Sequence, residues 1–277
     1  MADAKLGGRV SADIEGFFDD DSGTITGTAG ALIERPDHIA RHVLTDRCGL
    51  SAARIDDTAY SAAGSDYDAN GFTLAFPVLM APNVRKLLNR IARQAKTMET
   101  WAAGVHRLHY IADNPSADFT IRAHMIDQNQ IGIKYTKRAE IENALTARYN
   151  RDWSGYSDDA DADRDTVSAT DAGSIDKYGR LEADERSYPY ITTQSQAQAV
   201  IDWEIAEAAA PRLVIELTGG YFLTAIERGD IVNFSFESGD ELDAALINLV
   251  TPDTDKFRII DATRRPDAAV QVQMVAV

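Results

Sequence analysis

Residues 83–115 read NVRKLLNRIARQAKTMETWAAGVHRLHYIADNP. Asn83 is suited to cap a helix, and Val84, Leu87, Leu88, Ile91 and Ala95 recur at helical spacing behind it. Arg85, Lys86, Arg90 and Arg93 are interleaved on the other faces. Two short strands follow directly, Met98 to Trp101 and Arg107 to Ile111, turned by Gly104. Asn114-Pro115 closes the unit, which places a boundary near residue 115. A helix running into a hairpin predicts an α+β chain.

Upstream, Val10, Ala12 and Ile14 alternate with polar residues in a strand that runs to Gly16. Asp19-Asp20-Asp21-Ser22-Gly23 is a turn. Pro36 opens a helix, because its fixed φ and missing N–H suit a first helical position. Ile39, Val43 and Leu44 give that helix an apolar stripe, and Gly49 stands where a C-terminal cap belongs. Residues 51–70 are small and polar and read as irregular, and Phe72 to Phe76 reads as a strand.

Downstream of residue 115 the chain turns β-rich. Strands are expected at Ile131–Thr136, Ile141–Tyr149, Leu213–Thr218, Ile231–Phe236, Lys256–Thr263 and Val270–Val277. One helix, from about Thr193 to Ala209, carries Ala197, Val200, Ile201, Ile205 and Ala208 on one side and ends at Pro211. Residues 151–173 hold seven aspartates and two arginines and read as an exposed acidic loop. Glu241–Val250 reads equally as helix or strand.

Composition narrows the function classes. Hydrophobic residues are 44% of the 277 and charged residues 26%, enough to fill a core. The 44 acidic residues outnumber 28 basic ones, for a net charge of −16. Such a surface repels nucleic acid and anionic membranes at long range, which argues against a protein that grips DNA. Cys48 is the single cysteine, so an intrachain disulfide and a multi-cysteine metal site are both excluded. No secretory leader or membrane-length apolar run is present, and a soluble protein folded in a reducing cytoplasm is expected.

Catalytic patterns are absent: no Gly-x-Ser-x-Gly, no phosphate loop, no Gly-x-Gly-x-x-Gly. Cys48 with His38 and His42 fails as a thiol pair, because Cys48 sits at the end of the same short helix, about a turn and a half beyond His42 and on a different azimuth. His38 and His42 share a face at i, i+4, but Ile39-Ala40-Arg41 supplies no general base and no third ligand is in view. His106 and His109, three apart on a strand, diverge. Asp159, Asp161, Asp163 and Asp165 alternate as calcium ligands do, yet Arg164 replaces the turn glycine and Thr170 the bidentate glutamate. No catalytic, metal-binding or cofactor residue is nominated, and no enzymatic activity is expected.

Five segments together resemble the baseplate-hub and tail-tip family of long-tailed phages, prophages and gene-transfer particles. They are Gly27-Thr28-Ala29-Gly30-Ala31-Leu32-Ile33-Glu34-Arg35-Pro36 leading into a helix; Arg85–Ala95 with Trp101 and Arg107–Tyr110; Ala147–Ser154, a strand ending in an aromatic corner; Ser174–Arg180; and Ile226–Val232. Their order and spacing carry the resemblance.

The resemblance implies a linking strand (1–16), a small α/β hub domain with two helices (17–115) and a tube-type β-barrel (116–277) that holds one helix and the acidic loop. It implies homotrimers of paired barrels that join the tail tube or distal ring to the tip or spike, in a virion tail assembled in the bacterial cytoplasm. DNA would pass through without specific binding, and no membrane anchor is implied. The family carries a further tube domain before the first matched segment, so the chain is expected to be a piece of a longer hub or to work with a separate barrel. A calcium-dependent adhesion module using the acidic loop is the alternative reading.

Overall fold

A computed structural model describes residues 16–78, 82–153, 163–236, 250–251, 254–266 and 269–277. Helix α1 (Pro36–His42) starts at the expected proline and continues as a wider turn to Arg47. Gly49 (φ 68°) then ends the segment in the left-handed region that lacks a penalty only for glycine. The strand expected from Val10 falls on residues outside those described, apart from Gly16.

Residues 51–70, expected as irregular, contain the 14-residue helix α2 (Asp57–Asn70). Asp56 caps it by accepting hydrogen bonds from the amides of Thr58 and Ala59, and Gly71 ends it. Its buried face is Tyr60, Ala63, Gly64 and Tyr67, a helical i, i+3, i+4, i+7 stripe written in small and aromatic residues. Phe72 to Phe76, expected as a strand, is extended but joins no sheet. Single hydrogen bonds from Leu74 to Glu34 and from Ala75 to Tyr190 hold it.

Helix α3 (Val84–Gln94) is capped by Asn83 as expected and buries Leu87, Leu88 and Ile91. It packs on strand β1 (Thr97–Ala102), which forms an antiparallel hairpin with β2 (Val105–Tyr110). Helix α2 packs on β2, and α1 touches both α2 and α3.

Strands β3 (Phe119–Arg122), β4 (Ile126–Tyr135), β8 (Leu213–Gly219), β9 (Ile231–Ser235), β10 (Lys256–Arg264) and β11 (Val270–Ala276) form one sheet in the order β3-β9-β10-β11-β8-β4. The β3–β9 pair is parallel and the rest antiparallel. Its two edge strands are consecutive in sequence, joined by the turn Ala123–Met125, so the sheet curls into a nearly closed barrel. At the seam, a Cβ on Gly219 would run into the Met125 carbonyl and the Leu223 side chain, so only glycine fits. The barrel core includes Ile121, Leu217, Leu223, Phe234, Phe257, Val272 and Met274. Phe234 and Phe257 meet edge to face, with ring centroids 5.4 Å apart.

A third sheet, β6-β5-β7, holds β5 (Ala144–Arg151), β6 (Asp163–Thr170) and β7 (Arg186–Tyr188). Helix α4 (Ala172–Tyr178) follows β6, and α5 (Gln194–Ala208) lies across β5 and β6. Leu145, Tyr149, Val167, Ile191, Val200 and Ile201 of this unit join the same apolar cluster as α1, α2 and α3. Strands β5 to β7 and helix α5 therefore build onto the first core, although they lie within the segment 116–277 expected as barrel.

The α+β, β-rich class is as expected, and three sites depart from the reading in detail. The strand expected from Ile141 begins at Ala144, after a tight turn at Arg138–Glu140. Segment 17–115 carries three α-helices where two were expected. The acidic stretch 151–173 is not one loop: Arg151 ends β5, Asp163 to Thr170 form β6, and Asp171 caps α4. The reason is charge pairing, since Arg151 neutralises Asp163 and lets the strand run inward. Residues 154–162 and 241–249, the latter most of the ambiguous Glu241–Val250, lie outside the described residues.

Candidate assembly surfaces

The histidines singled out for chemistry each have a local structural partner. Cys48 is exposed at the end of the α1 segment. His42 donates from Nδ1 to Asp46 at 2.9 Å and accepts from Arg47. His38 accepts from Arg35 at 2.7 Å, and burial holds it below its ordinary pKa. His106 is fully buried against the Tyr60 hydroxyl (2.7 Å), whereas His109 lies under Gly229. The two diverge as their spacing predicts.

The calcium pattern is spent elsewhere. Asp163 accepts from Arg151 (2.7 Å) and Ser187 (2.5 Å), and Asp165 accepts from Asn150 (2.7 Å). Asp159 and Asp161 lie outside the described residues. Among the described residues, no group of three or more His, Cys, Asp or Glu side chains could hold a metal. Nor is any described helix long and apolar enough to cross a membrane.

Two shallow depressions open on the surface. One, of about 270 Å³, lies beside Glu216, Arg265 and Gln271 on the outside of the barrel; the other, of about 190 Å³, lies beside Phe18, Asp20 and Asp46. Neither gathers a nucleophile, a base and an oxyanion donor.

What the molecule does present is a set of joints and an aromatic rim. At one joint Arg107 of β2 binds Asp56 (2.8 Å) and reaches across to Glu227 before β9. Beside it His109 packs on Gly229, whose φ of 103° and close approach admit no side chain. Burial holds His109 below its ordinary pKa and Asp230 above its own. At the second joint Glu207 of α5 accepts from Arg212 (2.6 Å) and from Arg258 of β10 (2.8 Å). Burial opposes the charge on Glu207, but the two guanidinium groups outweigh it and keep its pKa low.

The rim lies where β8 ends. Tyr221 and Phe222 stack with centroids 4.2 Å apart and stay 64% and 43% exposed. Phe222 also meets His124, in the turn between β3 and β4, edge-on at 5.6 Å. Leu223, next in sequence, is fully buried and anchors the pair. Exposed Arg264 donates to the Thr224 carbonyl at 2.7 Å, so aromatic rings and a guanidinium share this end of the barrel. Tyrosine and arginine are residue types enriched in interface hot spots. Nothing in the sequence separates Tyr221-Phe222 from buried Leu223, so this surface is not legible there.

Comparison with known proteins supplies context for these surfaces. A family model described as "Putative phage tail protein" matches residues 83–245. No curated protein matches. Among solved structures, a protein of the native gene transfer agent virion is similar at 16% identity and a TM-score of 0.50, over 72% of this chain and 40% of that one. The prophage tail protein gp18 from Listeria monocytogenes EGD-e is similar at 11% identity and a TM-score of 0.44, over 73% of this chain and 55% of that one. The chain thus spans well under two thirds of either protein, and the first likeness is one of fold.

Proposed function

We propose, from the premise that the chain belongs to the phage tail protein family, that it is a structural subunit of the baseplate hub or tail tip. In this role it joins the tail tube or distal ring to the tip or spike, as a homotrimer. The observation that carries the reading is the nearly closed six-stranded barrel, with an α/β core clamped to it by Arg107 and Glu207. A rigid barrel with an exposed aromatic rim suits stacking against another ring, because burial of apolar area at interfaces drives closed symmetric assembly.

The role is one of assembly and not of catalysis. DNA crosses the resulting channel without specific contacts, which suits a chain of net charge −16, since cations on the path would add affinity and friction. Assembly takes place in the bacterial cytoplasm and the product resides in the virion tail. No observation favours the calcium-dependent adhesion module, because Asp163 and Asp165 are already committed to Arg151 and Asn150.

Disrupting the gene in a particle-producing strain tests the reading. Electron microscopy is expected to show particles whose tails are missing or end abruptly, and complementation in trans is expected to restore them. Normal, delivery-competent tails without this chain would overturn the proposal.

A further inference from the structure

We propose that the exposed face of α3 docks on an acidic face of a second copy of this chain, in a head-to-tail contact. The inference rests on the reading of the chain as a ring-forming tail subunit. Helix α3 carries Arg85, Lys86, Arg90 and Arg93 and no acidic residue, in a chain of net charge −16. Leu87, Leu88, Ile91 and Ala92 are buried, so the cations occupy one continuous outer face.

That arrangement opposes the helix's own preferences. The first turn, the positive end of the macrodipole, holds Arg85 and Lys86 and no carboxylate. Lys86 and Arg90 stand at the repulsive i, i+4 spacing. Two of the four cations find internal partners: Arg93 binds Glu204 at 2.8 and 3.0 Å, and Arg90 reaches the Tyr190 hydroxyl at 3.3 Å. Arg85 and Lys86 are exposed and make no ion pair with any described residue.

An aromatic shelf adjoins the helix at Arg90. Phe76 stacks on Tyr190 with centroids 3.8 Å apart, and Trp153 lies 6.2 Å from the same ring. Both flanking rings are half-buried, and Val78, two residues beyond Phe76, is 55% exposed. Desolvated aromatic residues beside arginines are the make-up of interface hot spots.

Charge complementarity selects the occupant. A lipid surface is disfavoured because the apolar side of α3 is already spent on the core, leaving nothing to insert. Duplex DNA is disfavoured because two of the four cations are already engaged by Glu204 and Tyr190, which leaves few phosphate contacts. A second copy brings the required acidity with it. Two α3 faces repel one another, so the contact cannot be a self-complementary twofold one. It is heterologous, the kind of contact that closes into rings.

The test is solution mass by light scattering at about 0.05 M and about 0.5 M salt, since screening separates such contacts. It uses the wild-type chain, Arg85→Glu/Lys86→Glu, and the milder Arg85→Gln/Lys86→Gln. The wild type is expected at a multiple of 30.3 kDa in low salt, falling towards 30.3 kDa in high salt. The glutamate variant is expected to remain at the single-chain mass while its melting temperature holds or rises, because carboxylates suit a first helical turn. The glutamine variant is expected to lie between the two.

A wild type that is monomeric throughout, or a charge-reversed variant that keeps the wild-type mass, overturns the proposal. So does retardation of duplex DNA by the wild type that the variant loses, which would reassign the face to nucleic acid. Each of these outcomes leaves the tail-subunit reading to be decided by where the chain sits in the particle.

Discussion

Replacing Asp163 with alanine removes one half of an ion pair whose two side chains are 0% and 3% exposed. The carboxylate accepts from Arg151 at 2.7 Å and from Ser187 at 2.5 Å, and so ties β5, β6 and β7 together. Without it the Arg151 guanidinium loses the buried carboxylate to which it donates, and breaking a buried pair by removing one partner costs about 3–5 kcal/mol. At roughly 2–4 °C of melting temperature per kcal/mol for chains of this size, the loss amounts to roughly 6–20 °C.

None of the three tryptophans, Trp101, Trp153 and Trp203, lies on a barrel strand; Trp153 and Trp203 pack on the first core, and Arg151 sits over the Trp153 ring at 5.3 Å. Urea unfolding followed by tryptophan fluorescence therefore reads the affected unit and not the barrel. Asp163→Ala is expected to lower the midpoint, and the unfolding free energy extrapolated from it by about 3–5 kcal/mol. The double change Arg151→Leu/Asp163→Leu is expected to recover most of it, since replacing both partners leaves no buried charge. Calcium is expected to leave the wild-type midpoint where it is, because a ligand bound only to the native state would raise it. A loss below about 1 kcal/mol for Asp163→Ala would refute the claim that this pair holds the sheet together.

Three further outcomes follow from the joints and the rim. Gly229→Ala, at φ 103° and against the His109 ring, is expected to lose about 1–3 kcal/mol in thermal melts, whereas Gly27→Ala, with open space around it, is expected to lose less. Glu207 has a folded pKa below its ordinary 4.5, so its contribution is complete above that value and drains away as pH falls through the lower folded value. Glu207→Gln is accordingly expected to flatten the acid limb of a stability-versus-pH curve. Tyr221→Ser/Phe222→Ser is expected to change monomer stability by no more than about 0.5 kcal/mol while reducing incorporation into particles, read by immunoblot of purified virions.

Elements with a clean period are legible in the sequence itself. Helix α3, the hairpin after it, α5 and strands β8 to β11 fall within a residue or two of the expected bounds, because the helices and the barrel strands write their buried faces largely in apolar residues and Gly104 marks the hairpin turn. Helix α2 is hidden, since Tyr60, Ala63, Gly64 and Tyr67 bury a face that composition scores as small and polar. Strand β6 is hidden for a different reason: the partner that makes Asp163 acceptable inside, Arg151, belongs to another strand.

The placement of β5 to β7 and α5 on the first core is illegible too. Alternation shows that a strand has a buried face but not which core receives it, and the parallel β3–β9 pair joins residues more than a hundred apart. The candidate surface divides in the same way. The cationic face of α3 stands in the sequence, whereas Tyr221 and Phe222 become visible as a surface only once Leu223 is seen to take the interior place.

Where the chain resides in an assembled particle bears most directly on the proposed role. Particles carrying an epitope-tagged copy, labelled with gold-conjugated antibody and imaged by electron microscopy, would read this out. A single cluster of label at the tail end away from the capsid is the predicted result. Label spread along the whole tail, confined to the capsid or absent from intact particles would contradict it.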